Sequence, residues 1–323
     1  MPLFTRLLLF LLVALCLSTS AASAQTCNAI KAGVAAARQS GDLVAMERLI
    51  RQVDTAEAGC NAEATRCLSR VAAGSFVTAA RAIAAKGAGE EEIVALLNRG
   101  AAATARSWMI NATLGDLKSN AAAEAHDPNL YTQASRLYEE ALTDIAESPA
   151  KGCAGYEGAG GPTGDALAKI SAKANTARML ASQWVVVAGR DGECGGAFEM
   201  HSRGLGVSEI PVPVRFDYDK ATLSEEGQGE VKQLLDCLGR NDIKALTLSG
   251  HTDEHGTDEY NLRLSAERLK TVAAYLQASG YTGHITLIAK GKSEPFKFGD
   301  PVGHSQDEID RANRRVAIEA STQ

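Results

Sequence analysis

The sequence predicts an α+β protein: an amino-terminal all-α domain of helical hairpins, then a βαβαβ-type domain whose helices pack on a small mixed sheet. Three observations carry this. From Asn28 to about Ser148 the chain is alanine-rich, with apolar residues at helical spacing and almost no strand-forming runs. Lys151 to Gly164, KGCAGYEGAGGPTG, holds six glycines and one proline, the strongest break in the chain. After it, short apolar runs alternate with amphipathic stretches. At 323 residues the chain is long enough for two domains of ordinary size.

The first 24 residues belong to neither domain. Arg6 supplies a positive start, Leu7 to Leu17 is an unbroken apolar run, and Ala22-Ser23-Ala24 offers the small residues of a cleavage site before Gln25. This reads as a secretory signal. The apolar run would rise only about 16 Å as a helix, half a bilayer core, so a retained anchor is the weaker reading. Cys16 follows Leu15 and Cys27 follows Thr26, whereas a lipidated cysteine wants Gly or Ala before it. Loss of Arg6 leaves 32 basic against 39 acidic residues, a net charge of −7. That balance argues against nucleic acid or an anionic membrane surface as the main partner.

In the helical region, residues 25–150, Leu43, Met46, Leu49 and Ile50, and later Tyr131, Leu137, Ala141 and Ile145, mark apolar stripes. QSGD, EAGCN, AKGAGEE and AHDPN are the breaks between helices. YTQASRLYEEALTDI looks like one helix of a tetratricopeptide-type repeat, but the 34-residue period does not recur cleanly, and an ordinary helical domain is an equal alternative. Residues 151–210 read as a glycine-rich linker, a helix from Asp165 to about Gln183, and a strand at WVVVAG. Residues 211–320 read as strand VPVRFDY, a helix from Ser224 to Leu238 with Val231, Leu234, Leu235 and Leu238 inward, and strand ALTLSG. They continue with a helix from Asp258 to Ala278 with Leu262, Leu269, Val272 and Leu276 on one stripe, strand HITLIAKG, a helical turn near Asp307 to Ala312, and strand RRVAIEA.

Six cysteines follow the signal, and an even count in an exported chain favours disulfides. Cys60 and Cys67 would lie about 10 Å apart on one helix, beyond disulfide reach, with Cys27 the near candidate for one of them. Cys153 and Cys194 sit in glycine-rich loops that can meet and are the favoured pair. Cys237 suits a buried free thiol as well as a bond.

GHTDEHGTDEYN, Gly250 to Asn261, contains His251, Glu254 and His255 in the order H-x-x-E-H, on paper a zinc signature. Two histidines at i and i+4 converge on one metal only if the turn between them is helical. Here a strand runs into His251 and Gly256 follows His255, so a strand-to-helix loop is expected. A cell-wall hydrolase or metal-dependent enzyme built on these residues is therefore the weaker alternative.

The run Gly250-His-Thr-Asp253, Gly256, Tyr260-Asn261, Leu264-Ser265 and Arg268, with FDYDKATL before it and NRRVAI at Asn313 to Ile318 after it, resembles the OmpA-like carboxy-terminal family. This is the peptidoglycan-associating domain shared by outer-membrane OmpA proteins, Pal lipoproteins and flagellar MotB stators. The resemblance covers about Pro211 to Ala320. It implies non-covalent binding of peptidoglycan through a diaminopimelate-type stem peptide, with Asp253 taking the ammonium and Arg268 the carboxylate. Asn261 and Thr252 match the family's positions, Asp219 lies where its first loop reaches the ligand, and Arg315 adds positive charge at the far wall. Arginine suits a carboxylate because its planar fork donates two charge-assisted bonds. An internal Asp253–Arg268 ion pair and a loop-bracing Asn261 are the structural alternatives, and at least one of Arg314 and Arg315 is expected to be an exposed solubilising charge. The longish acidic loop KFGDPVGHSQDEID departs from the family pattern.

The sequence thus reads as a periplasmic protein, held at the cell wall or the inner face of the outer membrane, without a cofactor and not an enzyme. An envelope protein is the expected partner of the amino-terminal helices. A periplasmic scaffold with a degenerate wall site is the remaining alternative.

Overall fold

The computed structural model describes residues 26–53, 59–104, 107–147, 153–189, 192–205, 209–217, 219–300 and 303–321. The expected signal segment lies outside them. Backbone packing divides the chain into two compact units, Met1–Ile110 with Pro149–Gly161, and Asn111–Ser148 with Pro162–Gln323.

The first unit is helical. It contains α1 (26–40), α2 (Leu43–Val53), α3 (Ala62–Ala84) and α4 (Glu90–Ala103). Ile30, Val34 and Ala37 of α1, and Met46, Ile50 and Val53 of α2, recur at i, i+4 and i+7 and bury one stripe of each helix against Leu68, Val71 and Phe76 of α3. The Asn61 side chain caps α3 by accepting from Ala64 N–H at 2.8 Å. Cys27–Cys60 and Cys67–Cys153 are disulfides, with Cα–Cα distances of 5.1 and 5.5 Å.

The second unit contains α5 (Trp108–Ala125) from Asn111 on, α6 (Pro128–Glu147), α7 (Gly164–Leu180), α8 (Ala197–Ser202), β1 (Ile210–Val212), α9 (Glu225–Arg240), β2 (Ala245–His251), α10 (Asp258–Ala278), β3 (His284–Gly291), α11 (Gln306–Asn313) and β4 (Val316–Ser321). The strand order is β1-β4-β2-β3, with β2 and β3 parallel and the other pairs antiparallel. Ile318 faces Ile210 on one side and Leu248 on the other, so β4 lies in the interior of the sheet. Leu246 and Leu248 of β2 alternate inward, whereas Val316, Ala317 and Ile318 of β4 are all buried, as an interior strand covered on both faces requires.

Four expectations are corrected. The glycine-rich stretch is not the single boundary between the units: one crossing falls within it, at Gly161–Pro162, but the chain also crosses at Ile110–Asn111 and before Pro149, so α6 and α7 on either side of it share a unit. Glu139 of α6 pairs with Arg178 of α7, both buried, and Asp116 of α5 accepts from Tyr138 Oη and Lys173 Nζ, each at 2.7 Å. Residues 184–189 form no strand beyond an isolated Ala188–Cys194 bridge; Trp184 and Val185 are buried, Trp184 packing on Phe198 with ring centroids 6.1 Å apart. The strand read at VPVRFDY lies earlier, at Ile210–Val212, sharing only Val212 with that stretch, and is followed by an isolated Phe216–Leu223 bridge.

The fourth correction concerns cysteines. Cys194 bonds Cys237, Cα–Cα 5.3 Å, and Cys153 bonds Cys67 instead. Asn241 enforces the first pairing: its side chain accepts from Cys194 N–H at 3.1 Å and donates to Cys194 O at 3.3 Å, one helical turn beyond Cys237. The Cys153 loop is drawn toward α1, where Arg38 donates to Glu157 O at 3.1 Å.

Candidate functional site

The site forms where β2 ends. The β2–β3 register shifts between Gly250 and His251, and such bulges re-aim the chain at the rim of a sheet. α10 approaches closely at this point: a Cβ on Gly250 would stand 2.8 Å from Leu269 Cγ and 3.0 Å from Ser265 O. The stretch after His251 is a loop, as expected, and ends at Thr257, which caps α10 by accepting from Tyr260 N–H at 3.1 Å.

The buried stripe of α10 begins with polar residues. Asn261, Ser265, Arg268, Leu269, Val272 and Leu276 are buried, whereas Leu262, read from its spacing as inward, is 50% exposed. The physical reason is backbone satisfaction. Asn261 Nδ2 donates to His255 O at 2.8 Å, and Ser265 Oγ accepts from Gly291 N–H at 3.1 Å, so the loop and the bulged end of β3 are tied to the helix through the positions next to Leu262. Asn261 therefore braces the loop. Thr252 is also buried, donating its N–H to Gly291 O at 2.9 Å and its hydroxyl to Asp253 O at 3.1 Å.

Asp253 does not ion-pair with Arg268. Its Oδ2 accepts from Arg314 Nη1 at 2.8 Å, and its Oδ1 takes a longer bond, 3.3 Å, from His255 N–H. Arg268 lies 7% exposed with its guanidinium 4.9 Å over the Phe216 ring, and its Nε donates to Lys220 O at 3.1 Å. Burial holds the guanidinium below its usual range, and the charge of Asp253 is the foremost influence opposing this. Among the described residues no carboxylate stands at ion-pair distance from Arg268.

The loop before α9 supplies the wall. Asp219, in the left-handed region at φ 55° that aspartate tolerates, accepts a short hydrogen bond from Tyr260 Oη, which raises the Tyr260 phenol above its ordinary value. Asp219 is thus brought to the first turn of α10. Tyr260 belongs to the run that carries the resemblance but is not among the expected site residues; its place directly before Asn261 is the available signal.

Arg315 is not part of this arrangement. Its side chain turns to Glu294 O and Phe296, and it is Arg314, read as interchangeable with it for the solvent side, that reaches Asp253. The residues of the H-x-x-E-H order have separate partners. His251 is buried and its Nε2 meets Ser249 Oγ at 3.2 Å; burial and Arg315 push its imidazole down to about 4. His255 is exposed and its Nε2 lies 3.1 Å from Asp310 Oδ2 of α11, while Glu254 is exposed.

Residues 215–309 match the model of the OmpA family. The chain is similar to outer membrane porin F of Pseudomonas fluorescens, 34% identical over 121 residues, which is 36% of this chain and 35% of that protein. It is also similar to a peptidoglycan-associated lipoprotein of Legionella pneumophila, 34% identical over 103 residues, 31% of this chain and 55% of that one. The chain thus spans from about a third to about half of the length of these curated relatives. The crystal structure of the peptidoglycan-associated lipoprotein from Burkholderia pseudomallei is similar at 26% identity, covering 36% of this chain and 92% of that one, with a TM-score of 0.28.

Proposed function

We propose that residues 211–320 bind peptidoglycan non-covalently at a diaminopimelate-type stem peptide, without catalysis or cofactor. In this reading they tether the amino-terminal helices, a module for binding an envelope protein, to the cell wall in the periplasm at the inner face of the outer membrane. The observation that carries the reading is the separation of charges at the end of β2. Arg268 is buried on Phe216 with no carboxylate partner among the described residues, and Asp253 is in electrostatic range but anchored to Arg314.

A free amino acid end carries an ammonium and a carboxylate on one carbon, the complement of that pair. The Arg268 fork suits the carboxylate. A carboxylate offers about four acceptor positions, and Asp253 has two protein donors, so acceptor capacity remains for an ammonium. The name of the Legionella relative accords with this ligand. No helix among the described residues is long and apolar enough to cross a membrane. Elution tests the proposal: full-length protein retained on purified peptidoglycan should be released by excess free diaminopimelate and not by its amine-acylated form. Equal release by both, or by neither, would count against it.

A further inference from the structure

Arg315 is, like Arg268, a buried cation of this unit with no ion-pair partner among the described residues; the charges of Glu209 and Glu294 offset its burial only from farther off. The residue is 8% exposed; Nη2 donates to Glu294 O at 3.2 Å, the guanidinium lies 5.5 Å over the Phe296 ring, and Nη1 is buried with no hydrogen-bond partner. No carboxylate among the described residues stands at ion-pair distance from it. Glu294 is engaged by Lys290 Nζ at 2.6 Å, and the neighbouring His251, pushed down to about 4, is neutral at pH 7. A buried charge left this way is unfavourable unless something pairs with it.

Arg315 lines a cleft of about 530 Å³ together with Glu209, Pro211, Pro295, Phe296 and Lys297. That volume falls within the range of small-ligand sites. The walls combine an apolar side, Phe296 and the two prolines, with two cations, Arg315 inside and the exposed Lys297 at the rim. Glu209 and Glu294 flank the same space, which disfavours a dianion such as phosphate more strongly than a single carboxylate on an apolar group. We propose that this cleft is a second ligand site, which takes the free carboxylate of a short apolar peptide on Arg315, with Lys297 closing over it. Nη2 donates one N–H to Glu294 O and keeps a second for a ligand oxygen.

Nitrogen-detected NMR titration of the full chain tests this, with N-acetyl-dialanine, its carboxy-terminal amide and acetate as probes. The peptide acid should shift the Arg315 Nε–H and the Phe296 and Lys297 amides saturably; the amide should not, and acetate should act more weakly. Lys297→Ala should weaken the acid by roughly two- to five-fold, as for an exposed charge, and Arg315→Gln should abolish the response. Asp253→Ala should leave it unchanged, which separates this site from the peptidoglycan reading. Identical shifts from acid and amide, or no shift at these signals, would overturn the proposal. Should Arg315→Gln fail to fold by circular dichroism, the acid–amide comparison and Lys297→Ala decide.

Discussion

Arg314 Nη1 donates to Asp253 Oδ2 at 2.8 Å, so the aspartate at the end of β2 is held by the residue preceding Arg315, and the arginine on α10 is left without an ion-pair partner. Arg314 is 41% exposed in its side chain, and solvent screens such a pair. Arg314→Ala should therefore lower the unfolding free energy by less than about 1 kcal/mol in urea denaturation. A loss of several times that would mean the pair also holds the loop closed.

Gly291 sits at φ 52°, and a Cβ there would lie 2.9 Å from Leu262 N, a backbone atom that cannot rotate away. Gly291→Ala should destabilise by about 2–4 kcal/mol through both conformational strain and overlap. Gly280, at φ 105° with nothing within 4 Å of the added atom, is the control. There only the conformational part, about 1–3 kcal/mol, should appear in thermal unfolding, with no contribution from overlap.

Much of the second unit was legible because its elements are locally consistent. The bounds of α10 and β3 coincide with those read from periodicity and breaks, and β2 and α9 differ by a residue or two. What escaped depends on partners distant in sequence. Leu262 sits at the spacing of a buried residue, yet the unpaired backbone of His255 and Gly291 draws Asn261 and Ser265 inward instead. Alternation could not say which of Arg314 and Arg315 faces Asp253, since that depends on where the loop at Glu294 lies. Glycine content shows that the Cys153 and Cys194 loops can bend, but the amide of Asn241 decides where one of them goes.

Cys194–Cys237 closes a separation of 43 residues and ties the segment before α8 to α9. Its replacement by the Cys194→Ser, Cys237→Ser double variant should cost about 2–4 kcal/mol. Peptide mapping by mass spectrometry without reduction should recover this bond alongside Cys27–Cys60 and Cys67–Cys153, and a Cys153–Cys194 peptide would contradict the fold.

Glu230 accepts from Arg215 N–H at 2.9 Å and faces its guanidinium at 2.8 Å, but burial outweighs both and pushes the carboxyl up to about 7. Because the folded value lies above the unfolded one near 4.5, the folded state binds more protons between them. Stability from this group is full below about 4.5 and falls as pH rises through about 7. Glu230→Gln should remove a slope on the order of 1–3 kcal/mol across that window, read from denaturant midpoints at a series of pH values.

Co-sedimentation of the full chain with purified diaminopimelate-type peptidoglycan tests the proposed binding most directly, with Asp253→Ala and Arg268→Ala compared against the unmodified protein. Loss of most of the pelleted protein in each variant, with the helical circular dichroism signal retained, is the predicted result. Undiminished sedimentation of both folded variants would contradict the assignment of Asp253 and Arg268 as the ligand's ammonium and carboxylate partners.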